Sequence, residues 1–324
     1  MMAVQILYLD LVVRFYRFFI AQPDYLPSVL WIFLDHRGLY NTNTAVRGRA
    51  SYLLLRFVKQ TLKSATSAFI EVVHQLLKML RQQPAPLEGL DGAPASATVS
   101  SQNGVPSSGG SAKLTSVPTL SESEQMCVYE TCGLLLGAGL APVEQVSELL
   151  SGVLELPLSR LEMLCTVAGE VGMGSEADQQ RFTERAFAVA RQIALTAVLS
   201  KGFVNLGADA SHRSLRDHFS RAAQLALSAL TPYGCSTEVR SKTLMLLHRM
   251  VETLDERVID FFGPALPQLL SSAEPREVQE VFTLVSSKPL RTSCSTGLLT
   301  CHTQAISHPS LANILRPPRA CRPC

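Results

Sequence analysis

Four cations and one tyrosine in this chain recur at the spacing of a single helix face. Arg49, Tyr52, Arg56, Lys59 and Lys63 follow one another at steps of three, four, three and four. At 100° per residue they share one arc of a helix. The opposite arc holds Val46, Ala50, Leu53, Leu54, Phe57 and Val58, the stripe that would face a core. From Arg49 to Lys63 the ridge measures about 21 Å at a rise of 1.5 Å per residue. Its chemistry is anion binding. Positive charges at that interval can follow several phosphates along an RNA strand, and Tyr52 offers a ring on which a base can stack. The same pattern also describes an ordinary solvated basic face, the commoner case for a charged stripe taken alone.

Two further arginines sit beside this ridge. Arg47 falls next to the apolar arc, so its expected role is a structural ion pair with Asp35 in the preceding turn. Arg37 lies in the turn Asp35-His36-Arg37-Gly38, where Gly38 is expected to supply a left-handed backbone. An arginine in such a turn either touches RNA backbone or caps a neighbouring helix, and spacing does not decide between the two.

No spacing points to catalysis. The sequence lacks G-x-S-x-G, H-E-x-x-H, a Walker loop and G-x-G-x-x-G, so it reads as a non-enzyme with no cofactor. Gly133, Gly137 and Gly139 open no strand–helix phosphate turn, and close helix packing is the expected reason for them. His74 and His248 fall in amphipathic stretches and read as structural. Near the C-terminus, Cys294, Cys301, His302, His308, Cys321 and Cys324 carry metal-capable atoms, and the last two have C-x-x-C spacing. A structural zinc site takes two such pairs on a folded knuckle. The second pair is missing, so no metal is expected. Cys127, Cys132, Cys165 and Cys235 lie in apolar stretches without regular spacing, the usage of a reduced compartment, nuclear or cytosolic.

The elements that must carry these residues are helical. Nearly every ordered stretch has helical period and none alternates as a strand does. The period predicts helices near 2–20, 25–34, 44–63, 67–82, 122–138, 142–155, 158–172, 176–206, 212–230, 237–255, 257–270 and 275–286. Short connections carrying Pro, Gly or Asn join them, so the expected fold is all-α: an α-solenoid of stacked antiparallel helix pairs. A Val-Arg pair opens a helix shortly after a turn at Val46-Arg47 and again at Val239-Arg240. That feature resembles the second helix of HEAT repeats.

Composition sets the outer limits. The chain has 324 residues, 29 Lys+Arg against 27 Asp+Glu, 17% charged and 47% hydrophobic. That is ample material for a core, and a net charge of +2 excludes a globally basic nucleic-acid binder. The charge is unevenly placed, however. Residues 1–81 hold ten basic and four acidic residues, whereas 82–173 hold two and ten. The ridge therefore lies on a locally basic segment that the total conceals. Residues 83–121 include five Pro, five Gly and eight Ser with no aromatic. Such a stretch cannot offset its ordering entropy of about 1–2 kcal/mol per residue, so a disordered insertion between two repeats is expected. A non-family, disordered tail is expected over 287–324. The expected organisation is thus basic HEAT-like pairs over 1–82, the insertion, further pairs over 122–286, and the tail. The apolar N-terminal stretch is interrupted by Asp10, Arg14 and Arg17 and broken by Pro23 and Pro27. It is expected to be a buried helix with one polar stripe, without membrane insertion.

Several motifs in residues 12–71 go beyond generic HEAT patterning. Val12-Val13-Arg14-Phe15-Tyr16-Arg17-Phe18-Phe19 is followed by Phe33-Leu34-Asp35-His36-Arg37-Gly38-Leu39, then Val46-Arg47-Gly48-Arg49, Leu55-Arg56-Phe57-Val58-Lys59 and Phe69-Ile70-Glu71. Looser matches follow at Tyr129-Glu130-Thr131-Cys132-Gly133 and Leu247-His248-Arg249-Met250. This pattern resembles the middle of exportin-T, the tRNA exportins of the karyopherin-β family, over most of 1–286. The resemblance implies a nuclear export receptor that binds tRNA with Ran-GTP, meets nuclear pore proteins, and shuttles between nucleus and cytoplasm. It also implies a fragment that lacks the repeats bearing the main Ran surface. Arg37, Arg49, Tyr52, Arg56, Lys59 and Lys63 are the candidate RNA contacts. Two other readings stay open: a protein-scaffolding solenoid without RNA affinity, and an inactive truncated product.

Overall fold

A computed structural model of the chain describes residues 2–64, 68–84, 118–167, 175–206, 210–271 and 273–286. Among these residues the regular structure is helix throughout, in the order α1 (Met2–Arg14), α2 (Tyr16–Ala21), α3 (Leu26–Leu34), α4 (Thr44–Thr61), α5 (Ala68–Arg81), α6 (Glu122–Gly137), α7 (Val143–Val167), α8 (Glu176–Leu199), α9 (Arg213–Ser228), α10 (Leu230–Tyr233), α11 (Thr237–Leu254), α12 (Ile259–Leu270) and α13 (Pro275–Val285). The protein is an all-α solenoid of HEAT-type pairs, as the periodicity indicates. The expected zinc-free tail and the bulk of the low-complexity stretch lie outside the described residues.

The helices start where side chains can satisfy the first free backbone N–H groups. The Asn43 side chain accepts from Ala45 N and Val46 N at the head of α4. Ser236 accepts from Val239 N at the head of α11. Ser121 and Glu124 form a reciprocal capping box on α6, and Glu274 and Glu277 form one on α13.

The chain divides into two compact units, residues 1–160 and residues from 161 onward. In the first, α1, α4 and α6 lie side by side as one layer, and α3 and α5 form the second layer behind them. Phe57 of α4 anchors the junction of the layers. It is fully buried, with the rings of Phe19 and Phe33 each 5.8 Å away. In the second unit α8, α11 and α13 form one layer, and α9 and α12 pack behind.

Several expectations are corrected. The boundary between the two units falls inside α7, and α4 packs directly on α6 across the low-complexity stretch. The stretch connects α5 to α6, which pack on each other. It therefore interrupts a helix pair and does not separate two. Its ends are tied together. The buried Gln83 side chain accepts from Leu120 N at 2.7 Å and donates to Pro118 O at 3.4 Å. Arg160 donates to Gln83 O at 3.0 Å, so the described residues on either side of the segment are held in one clasp. The two helices expected at 142–155 and 158–172 are one helix, α7, with Pro157 inside it. The expected helix 2–20 is divided at Phe15.

The N-terminal helix is not buried all round. Val4, Leu7, Tyr8, Leu11, Phe15 and Phe18 are exposed, while Leu9, Val12 and Val13 are buried. Among the described residues no helix covers that outer face. No described helix is long and apolar enough to cross a membrane. Gly38 does not take a left-handed backbone. A Cβ there would meet Phe33 O at 2.1 Å, so close approach is its reason. Gly139, by contrast, has φ of 69° just past the end of α6, where glycine is the usual stop.

Candidate nucleic-acid interface

Five residues expected to form one ridge do lie along α4 and the 3₁₀ turn Leu62–Ser64 that extends it. The apolar arc of the same helix is buried: Val46, Ala50, Leu53, Leu54, Phe57 and Val58 are all fully inaccessible. That burial fixes the roll of the helix, so Tyr52, Arg56, Lys59 and Lys63 must face outward, and each is exposed. Arg49 is half-buried. Its guanidinium lies 5.3 Å from the centre of the Tyr52 ring, within cation–π range.

The charges on the ridge are not equivalent. Arg49 Nη2 lies 2.7 Å from Asp10 Oδ1 on α1. Lys59 Nζ lies 2.5 Å from Glu130 Oε1 on α6. Each flanking helix of the layer thus contributes one carboxylate to one ridge cation. Arg56 and Lys63 have no carboxylate partner among the described residues. No periodicity argument on α4 alone could show this, because the carboxylates belong to its neighbours.

Arg37 stands apart. Its Nε donates to Asp35 Oδ2 at 2.8 Å and its backbone N donates to Asp35 Oδ1 at 2.7 Å. The carboxylate of Asp35 holds the guanidinium pKa above its usual value, against a smaller effect of burial. Arg37 is thus compensated within its own turn, outside the helix and its 3₁₀ extension that carry the other five residues.

Arg47 corrects a second expectation. It does not meet Asp35, which is occupied by Arg37. Arg47 Nε donates to Glu124 Oε2 at 3.2 Å, and Arg47 Nη1 donates to Asn41 O at 3.1 Å. Arg47 is nearly inaccessible, so it takes no part in a surface for RNA.

Arg14 on α1 and Arg17 on α2 are further exposed cations, carried by helices that pack on α4. Asp10, Arg14 and Arg17 follow i, i+4, i+7 spacing, and Asp10 points at Arg49. Phe19 lies beside Phe57, so α1 and α2 run alongside α4 in the same direction. Arg14 and Arg17 are exposed on that stretch, and Arg17 also donates to Tyr16 Oη at 3.3 Å. The i, i+4 spacing keeps Arg14 on the face of Asp10, whereas the division of the helix at Phe15 breaks that relation for Arg17.

Among the described residues no cluster of three or more His, Cys, Asp or Glu could hold a metal. Cys132 is enclosed, and burial pushes its thiol up to about 12, which leaves it unreactive.

A family model for exportin-T matches residues 1–286. The chain belongs to the exportin-T family. Exportin-T of Danio rerio is 29% identical over 279 residues, covering 86% of this chain and 26% of that relative. Exportin-T of Arabidopsis thaliana is 30% identical over 275 residues, covering 85% and 25%. Exportin-T of Homo sapiens is 26% identical over 279 residues, covering 86% and 26%. The chain thus spans about a quarter of the length of these exportin-T relatives. The motifs singled out at residues 12–71 fall within the matched region.

Proposed function

We propose that this chain acts in nuclear export of tRNA, as part of a transport receptor and not as an enzyme, and that the face of α4 contributes phosphate contacts. The observation that carries the reading is the outward line of Tyr52, Arg56, Lys59 and Lys63 on a helix whose roll is fixed by its buried arc. Membership of the exportin-T family makes tRNA the ligand of choice for that line. A flat helical layer offers no pocket for splayed bases, so recognition runs through charge and backbone shape. Ran-GTP and nuclear pore proteins are partners of the receptor as a whole, which shuttles between nucleus and cytoplasm. The experiment is a fluorescence titration of a transcribed tRNA with this chain at several salt concentrations. Binding that weakens linearly with the logarithm of salt supports the reading. Absence of binding, or binding indifferent to salt, contradicts it.

A second reading has one observation in its favour. Arg49 and Lys59 already hold carboxylates of the same chain, as cations on a solvated face do. A protein-scaffolding solenoid without RNA affinity would have such a face.

A further inference from the structure

The two paired cations of the ridge lie ten residues apart, so their carboxylate partners sit roughly 15 Å from one another along α4. Asp10 reaches Arg49 from α1, and Glu130 reaches Lys59 from α6. Arg56 stands between these pairs. The cation of each pair is open to solvent while its partner is more sheltered: Arg49 is 40% and Asp10 23% exposed, Lys59 50% and Glu130 10%. Water and ions reach both cations, and the more open pair, Arg49–Asp10, exchanges partners at little cost. A carboxylate oxygen and a phosphate oxygen are the same kind of acceptor for guanidinium and ammonium groups. Each carboxylate therefore occupies the place that a phosphate oxygen would take.

We infer that Asp10 and Glu130 are tethered competitors of RNA phosphate: they hold Arg49 and Lys59 oriented at the surface and limit how tightly the ridge binds. This rests on the phosphate-binding reading proposed above. An incoming phosphate finds Arg49 already placed over the Tyr52 ring and Lys59 already drawn to the α6 side. It must displace a carboxylate that stays tethered nearby and repels it. Affinity is thereby kept below what the ridge cations alone would give, which suits a carrier that must release its cargo.

The inference makes an unusual demand: removing acids from a folded surface must strengthen RNA binding. Asp10→Asn with Glu130→Gln keeps shape and removes both charges. This chain carrying the pair should bind a transcribed tRNA more tightly than the parent. The slope of log K against log salt should steepen by up to about 0.7–0.9 per freed cation. The same titration includes a variant with Arg49, Arg56, Lys59 and Lys63 changed to Ala. Unchanged or weaker binding by the Asn/Gln variant, with parental circular dichroism and melting, overturns the inference. If the alanine variant then binds more weakly than the parent, the phosphate reading stands without it. If neither variant differs from the parent, or nothing binds, both fall. Should the double variant lose helix content, Asp10→Asn and Glu130→Gln are read singly. Each should then steepen the slope by about half as much as expected for the pair.

Discussion

Arg47 and Glu124 form a buried ion pair between residues 77 positions apart, with Arg47 Nε 3.2 Å from Glu124 Oε2. The side chains are only 6% and 2% exposed. Glu124 also accepts from Ser121 N at 2.6 Å, so one carboxylate caps its own helix and holds the neighbouring one. Arg240 and Glu277 repeat the arrangement: Arg240 Nε donates to Oε1 at 3.0 Å and Nη2 to Oε2 at 2.9 Å. Glu277 accepts from Glu274 N. Both arginines also donate to a carbonyl six residues back, Asn41 O and Gly234 O. The second pair spans 37 positions. The surplus of 40 in the first (77 against 37) is, within one residue, the length of the low-complexity stretch 83–121. One repeat geometry thus occurs twice, and the first instance has a segment inserted into it.

Arg47→Ala should therefore cost stability and leave RNA binding alone. It strands a carboxylate with almost no access to water, a loss of about 3–5 kcal/mol. Arg240→Ala should behave alike. Urea denaturation followed by circular dichroism measures this, and a change under about 1 kcal/mol, the range of an exposed pair, would contradict it.

The helices were legible in the sequence because burial of one arc leaves a period that needs no partner to be seen. The partner of Arg47 was not legible. Asp35 is nearer in sequence, but it closes on Arg37, and Glu124 is brought alongside only when α6 packs on α4. A clue did exist: Ser121-Glu122-Ser123-Glu124 is a capping-box sequence, whose Glu is held at a fixed place beside the helix start. Pro157 misled for a different reason. Proline removes one backbone donor, yet burial of Val153, Leu154, Leu158 and Leu161 keeps α7 continuous through it. The outward line of the ridge was legible, since it follows from the buried arc. Its pairing with Asp10 and Glu130 was not, since periodicity says which way a side chain faces and not what the next helix puts there.

Replacing residues 86–116 by a short Gly-Ser linker should leave the melting temperature unchanged. Gln83 already joins Leu120 N and Pro118 O, so the two ends meet without the segment, and the Arg47–Glu124 pair is made by residues outside it. Differential scanning calorimetry on the parent and the shortened chain decides it. A fall of several degrees would show that the segment stabilises the helices.

Tyr233 gives the second unit an alkaline limit. It is fully buried, and its hydroxyl donates to Leu164 O at 2.9 Å. Burial pushes its pKa up to about 12, whereas the unfolded chain releases the same proton near the ordinary value of about 10. Between these values the folded state holds more protons, so stability is full below about pH 10 and falls as pH rises towards 12. Tyr233→Phe should remove that contribution while costing about 1–3 kcal/mol at neutral pH, through the stranded Leu164 carbonyl. Denaturation midpoints at pH 8 to 11 for both proteins check the sign.

Arg14→Ala with Arg17→Ala should weaken tRNA binding without a change in helix content, because both side chains are exposed on helices that pack on α4. The salt slope should fall by up to about 0.7–0.9 for each phosphate that is no longer neutralised. An unchanged slope would restrict the interface to α4.

The central claim is that α4 meets RNA phosphate through its outward cations, and the salt dependence of tRNA binding tests it most directly. Arg49, Arg56, Lys59 and Lys63 are changed together to Ala, a substitution that favours helix, and log K is measured against log salt for parent and variant. The account predicts weaker binding to every tRNA alike and a slope shallower by up to about 0.7–0.9 for each phosphate left without its cation, with circular dichroism unchanged. A variant that binds tRNA with the parental affinity and slope would contradict it and leave the ridge a solvated face.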